Sequence, residues 1–145
     1  MITVQTDNPT GAIHAVVWID HHQARIFRFD REVAEATHHV LWNTHYPQHL
    51  HHKANSIGSG HVPVNHAFLE AVTRDIRDAK AILIAGPASA KHELYDHIHQ
   101  LHPALLDWIV GVETLDHPTD GELLTHAAHS FRVAARVGHP YSETG

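Results

Sequence analysis

The sequence predicts a single α/β domain with a mixed five-stranded sheet in the order β-β-β-α-β-α-β-α. Three observations carry that prediction. In the second half of the chain, short apolar runs alternate with stretches of helical periodicity. In the first half, strand-like segments follow one another with no helical pattern between them. At 145 residues, 43% hydrophobic and 18% charged, the chain has the size and composition of one globular domain.

Residues 1–12 are polar, contain Pro9 and Gly11, and read as a flexible lead-in. Residues 14–20 (HAVVWID) are an apolar run bounded by turn formers, as in a buried strand. In residues 24–29, Arg25 and Arg28 interleave with Ile26 and Phe27, which suits a half-buried partner strand. The short gap between the two segments predicts a hairpin. Residues 35–42, with Thr37, Val40 and Trp42, extend the meander as a third strand. Residues 43–63 hold His, Gly, Ser and Pro without apolar periodicity and read as a long loop. Such loops in compact domains are usually functional.

Asn65 is placed to cap a helix whose Phe68, Leu69, Val72, Ile76 and Ala79 share one face. Residues 81–85 (AILIA) form a continuous apolar run, as a central strand requires, and Gly86-Pro87 ends it. A second amphipathic helix carries Ala90, Leu94, Ile98 and Leu101 and stops at Pro103. Residues 108–112 (WIVGV) are a fifth strand. Thr119 and Glu122 then form a capping box ahead of the stripe Leu123, Leu124, Ala127, Ala128, Phe131, Ala134 and Ala135. Residues 137–145 make a short tail, so the domain occupies 13–136. Strand–helix–strand crossovers impose parallel pairing after the antiparallel meander. That order is the ribonuclease H-like one, with helices packed on the sheet.

Composition narrows the function. There is no Cys, which excludes disulfides, thiolate metal sites and a Cys nucleophile. No apolar run reaches the roughly 18 residues of a membrane span, and the first residues are no signal peptide, so a cytoplasmic location is expected. Lys and Arg number 10 against 16 Asp and Glu, a formal charge of −6 with His neutral. The chain therefore has no permanent basic patch of the kind most nucleic-acid binders carry. Its 19 His, which titrate near pH ~6.5 when unperturbed, make that charge sensitive to mild acid.

The densest group lies between 49 and 66. His49, His51, His52, His61 and His66 are borderline-metal ligands, so zinc or another divalent metal is one reading of this loop. Anion contact is the other: Lys53, Ser56, Gly58, Ser59 and Gly60 supply an ammonium, hydroxyls and free amides for phosphate. Gly86 and Lys91 stand where a strand opens into a helix, a second place that suits an anion. The spacing is not that of a Walker loop, and an ordinary tight strand-to-helix turn with a solvated Lys91 is the reading composition alone favours. Asp20 and Glu70 occupy two of the three acid positions of metal-dependent nucleases in this fold class. The fourth strand ends without an acid, which leaves a two-metal clamp incomplete. Asp116 and His117 are adjacent, as in a base–orienter pair or an ordinary turn. No catalytic residue is assigned. The remaining histidines read as structural or solvated.

Several strings together resemble the middle domain of the archaeal and eukaryotic peptide-chain release factor and Pelota family. They are Val16-Val-Trp-Ile-Asp20 with Ala24-Arg25, the His/Gly loop entering a helix, and Gly86-Pro-x-x-x-Lys-x-Glu-Leu94. The sequence is similar, more closely, to small His-rich bacterial proteins called translational machinery proteins. The strings shared with those are His51-His-Lys-x-x-Ser-Ile-Gly-Ser-Gly-His61 and Asp116-His-Pro-Thr-Asp-Gly121. The resemblance covers roughly residues 13–136 and implies a ribonuclease H-like fold with a link to the ribosome. In release factors a Gly-Gly-Gln loop ahead of the first helix promotes ester hydrolysis. Here the matching segment is Ser56-Ile-Gly58-Ser59-Gly60-His61, without that motif. The expectation is a non-catalytic accessory domain that binds ribosome or RNA through the loop. The alternative is a metal-binding protein or metal-dependent hydrolase drawing ligands from the same loop with Asp20 or Asp116. A third reading is a homo-oligomer whose interface responds to His protonation.

Overall fold

The computed structural model describes residues 13–29, 36–44 and 65–136. Its strands are β1 (His14–Ile19), β2 (Gln23–Phe29), β3 (Thr37–Trp42), β4 (Ala81–Gly86) and β5 (Ile109–Thr114). The helices are α1 (His66–Ile76), α2 (Ala90–Leu101) and α3 (Asp120–Arg136). The sheet order is β3-β2-β1-β4-β5. β1 pairs antiparallel with β2 and parallel with β4, so the expected mixed sheet and its element order are observed. β5 joins β4 in parallel, with a register irregularity between Ile82 and Leu83.

The strand sequences follow from their places in the sheet. β1 is central and β4 beside it, and helices cover both faces there. A strand buried on both faces reads as a continuous apolar run, as HAVVWI and AILIAG do. Ala15, Val17, Ile19 and Ile26 face α1 and α2 and pack with Leu69, Val72, Ile76, Leu94 and Ile98. Val16, Trp18, Phe27, Phe29 and Leu83 face α3 and pack with Leu123, Ala127 and Phe131. Each fully buried Leu, Ile or Val stabilises the fold by about 1.5–3 kcal/mol relative to exposure.

β2 places one arginine at the rim of each layer. Arg25, on the Phe27 face, lies 4.7 Å over the Trp18 ring and reaches Asp120 at 2.6 Å. Arg28, on the Ile26 face, grips both carboxylate oxygens of Asp78 at 2.6 and 2.9 Å. Hydrogen bonds from Arg28 first, and then its positive charge, hold the Asp78 carboxyl below its ordinary range against desolvation. β3, on the sheet edge, is largely exposed.

The predicted helix signals act as expected. Asn65 Oδ1 accepts from the Ala67 and Phe68 amides at 2.8 and 3.1 Å. Thr119 and Glu122 exchange reciprocal hydrogen bonds of 2.9 and 3.1 Å at the start of α3. One element was not anticipated. Pro103, read only as a stop, opens a 3-10 turn over Pro103–Trp108 that leads into β5. Proline suits that position because its missing N–H would have no helical partner there.

Candidate functional site

The loop positions His49, His51, His52, Lys53, Ser56, Gly58, Ser59, Gly60 and His61 lie outside the described residues. The described chain stops at Thr44 and resumes at Asn65. Both residues line one hollow of about 180 Å³, together with Leu41, Trp42, Ala67, Phe68 and Ala71. Thr44 and Asn65 therefore lie close together, where edge strand β3 meets the N-terminus of α1.

At the C-terminal end of β1, Asp20 Oδ1 accepts from the His22 and Gln23 amides at 2.8 and 2.9 Å. The carboxylate thus builds the β1–β2 turn. Gly86 ends β4 directly beside it. A Cβ at Gly86 would stand 2.2 Å from the Ile19 carbonyl oxygen, so only glycine lets these two backbones approach so closely. Lys91 is buried, and its ammonium donates to the Ala88 carbonyl. Ser89 Oγ donates to Glu93 Oε2 at 3.2 Å and lies 3.5 Å from His21 Nε2. Glu93 Oε2 lies 3.5 Å from that same nitrogen. In a hydrolytic triad the acid and the nucleophile use opposite nitrogens of the imidazole. Here both approach Nε2, so the constellation is not a triad.

Asp116 and His117 are in contact, with His117 Nδ1 3.2 Å from Asp116 Oδ1, on an exposed turn. The His117 ring leans on Trp18, 5.2 Å between centroids. Other histidines pack. His14 stacks on Phe29 and meets Phe131 edge-on, and His38 lies flat on Phe27. His126, which the helix spacing groups with Glu122 and His129, instead pairs with Glu113 on β5.

One convergence stands apart. Glu70, on α1, lies opposite His97 on α2 and His102 at the C-cap of α2. Glu70 Oε1 is 2.8 Å from His97 Nε2 and 2.9 Å from His102 Nε2, and its Oε2 is 3.2 Å from His102 Nε2. The His97 side chain is 3% exposed, whereas His102 and Glu70 are 29% and 31% exposed. Hydrogen bonds from His102 first, and then His97, hold the Glu70 carboxyl down to about 2 against the opposing effect of desolvation. His66 lies one turn before Glu70, and its exposed ring meets His97 edge-on with centroids 4.8 Å apart. Among the described residues, Glu70, His97 and His102 form a group able to hold a metal ion, their ligand atoms all within 4.8 Å of one another.

Of this group, the sequence pattern singled out His66 and Glu70 for other reasons and missed His97 and His102. A signal existed. His97 lies three residues after Leu94 and seven after Ala90, on the buried stripe of α2. An imidazole there needs a polar partner. Glu70 lies four residues after His66 and therefore on the same helix face.

Strand order, pairing directions and helix placement together define a ribonuclease H-like domain. Among solved structures, the chain is similar to Pelota from Archaeoglobus fulgidus, with 10% identity and a TM-score of 0.54. That match covers 92% of this chain and 38% of that one. It is likewise similar to Dom34 of S. cerevisiae, with 10% identity, a TM-score of 0.56 and coverage of 94% and 40%. An archaeal translation termination factor, aRF1, matches at 14% identity and a TM-score of 0.51, covering 90% of this chain and 39% of that one. The chain thus spans about two fifths of the length of these proteins, and at such identities the likeness is one of fold. No protein-family model and no curated protein matches it by sequence. Among the described residues, no helix is long and apolar enough to cross a membrane.

Proposed function

We propose that this chain is a non-catalytic accessory domain of translation, which binds the ribosome or RNA through residues 49–61. The observation that carries this reading is the shared fold. About nine tenths of the chain matches a part of Pelota, of Dom34, described as a translation termination-like factor, and of aRF1, described as a translation termination factor. The resemblance to small His-rich bacterial translational machinery proteins, noted from the loop and Asp116–Gly121 strings, points the same way and implies a cytoplasmic setting. The non-catalytic part rests on three absences in the chemistry. The sequence lacks Gly-Gly-Gln, β4 ends without an acid, and Ser89, His21 and Glu93 are not arranged as a triad.

The loop suits phosphate because Lys53, the Ser hydroxyls and the Gly amides are donors, and its histidines add charge in mild acid. Gly86, at the end of β4, and Lys91, in the first turn of α2, are the second proposed anion contact, which Lys91 makes by giving up its bond to the Ala88 carbonyl. Binding of this kind weakens with salt, because counterions return to the phosphates. Ribosome binding of the intact chain, compared with a variant carrying Ala at His51, His52, Lys53 and His61, tests the loop. The expected result is salt-sensitive binding, stronger below about pH 6.5, that the variant loses. Unchanged binding by the variant would remove the loop from the account.

A further inference from the structure

We propose that Glu70, His97 and His102 form a binding site for one divalent ion of the zinc class, tying α1 to the end of α2. The site is distinct from the His-rich loop, and the inference is independent of ribosome binding.

The donor set is two imidazole nitrogens and one carboxylate, a combination that zinc accepts with an open fourth position. Both imidazoles present the same atom, Nε2, to a single carboxylate, at 2.8–3.2 Å. A tetrahedral ion with bonds of about 2.0–2.2 Å holds its ligand atoms roughly 3.3–3.6 Å apart. The carboxylate–imidazole separations are short of that by up to about half an ångström, a shift that rotation of the Glu70 side chain supplies, and all the ligand atoms lie within 4.8 Å of one another.

The two histidines are fixed from behind. His97 is buried within α2. His102 is held by its amide, which donates to the Ile98 carbonyl at 2.7 Å, and by the 3-10 turn that Pro103 starts. Ligands on rigid elements form a site without large reorganisation. A plain hydrogen-bonded tie between two helices would need one histidine. Here two converge on the carboxylate, and a third, His66, stands at the mouth against His97. In the metal-free protein the Nε2 N–H groups bonded to Glu70 stand where the ion binds, so binding needs each neutral ring to carry its proton on Nδ1 instead.

The test uses the full-length untagged chain, stripped with a chelator and titrated with Co²⁺ and then Zn²⁺. One equivalent of Co²⁺ is expected to give a visible ligand-field band that Zn²⁺ abolishes. Glu70→Gln and His102→Gln, both at partly exposed positions, are each expected to weaken binding at least about tenfold, the lower bound for losing even an outer-shell partner. Replacing His49, His51, His52 and His61 by Ala leaves the band in place. A readout without substitution is NMR of the imidazole rings, where Zn²⁺ shifts His97 and His102 at the first equivalent. A band unchanged in both Gln variants, loss of the band in the loop variant, or first-equivalent shifts confined to other histidines would overturn the assignment.

Discussion

Replacing Glu70 by Ala tests whether the convergence of Glu70, His97 and His102 holds the helical layer together in the metal-free protein. Glu70 Oε1 bonds His97 Nε2 at 2.8 Å and His102 Nε2 at 2.9 Å. His97 is 3% exposed, so truncation leaves a buried ring nitrogen without its partner, at a cost of about 1–3 kcal/mol. His102 is 29% exposed and recovers water, so it adds little. With a urea m-value of about 2 kcal/mol/M, a loss of about 2 kcal/mol lowers the midpoint by roughly 1 M, with the slope unchanged. The assay is urea denaturation in chelator, at pH 7 and then stepwise into acid.

The pH dependence has a definite sign. The folded carboxyl titrates at about 2, below its ordinary 4.5, because His102 and His97 donate to it. Its contribution is complete above about pH 4.5 and is lost as pH falls toward 2. The wild type and Glu70→Ala should therefore differ most near neutrality and converge between pH 4.5 and 2. A gap below about 0.5 kcal/mol at pH 7, within ordinary surface-substitution effects, would refute the reasoning. So would a gap that stays constant through that acid window.

Three further outcomes follow from the packing. Gly86→Ala drives a Cβ to 2.2 Å from the Ile19 carbonyl, and urea denaturation should show a loss of about 1–3 kcal/mol or more as β1 and β4 separate. Thr119→Ala removes the hydroxyl that accepts from the Glu122 amide at 3.1 Å, and thermal denaturation should report a loss of about 0.5–2 kcal/mol. Arg28→Ala breaks a partly exposed pair with Asp78 and also the Arg28 bond to the Asp75 carbonyl at 2.8 Å. Despite good geometry the loss of that pair should cost less than about 1 kcal/mol, and less still in high salt, as chemical denaturation at two ionic strengths can check.

The architecture was legible because its signals are local and agree with one another. The apolar runs of β1 and β4, the Asn65 cap and the Thr119–Glu122 box each specify their element without reference to the rest of the chain. The 3-10 turn after Pro103 was not, because proline at the end of one helix and at the start of another leaves the same mark in a sequence. The metal-competent cluster was hidden for a different reason. Glu70 and His102 are thirty-two residues apart, and only the packing of α1 on α2 brings them together. Local spacing groups His126 with Glu122, yet its carboxylate partner is Glu113 on a neighbouring strand. A chain with 19 His offers many local pairings, and tertiary contacts decide which of them matter.

Whether this domain works on the ribosome is decided by sedimenting untagged, natively expressed protein through a gradient with intact ribosomal particles. A ribosome-binding chain travels with the particles at low salt and at pH 6, and is released progressively as salt rises. A chain that stays at the top of the gradient under every condition, while remaining folded, would contradict that role.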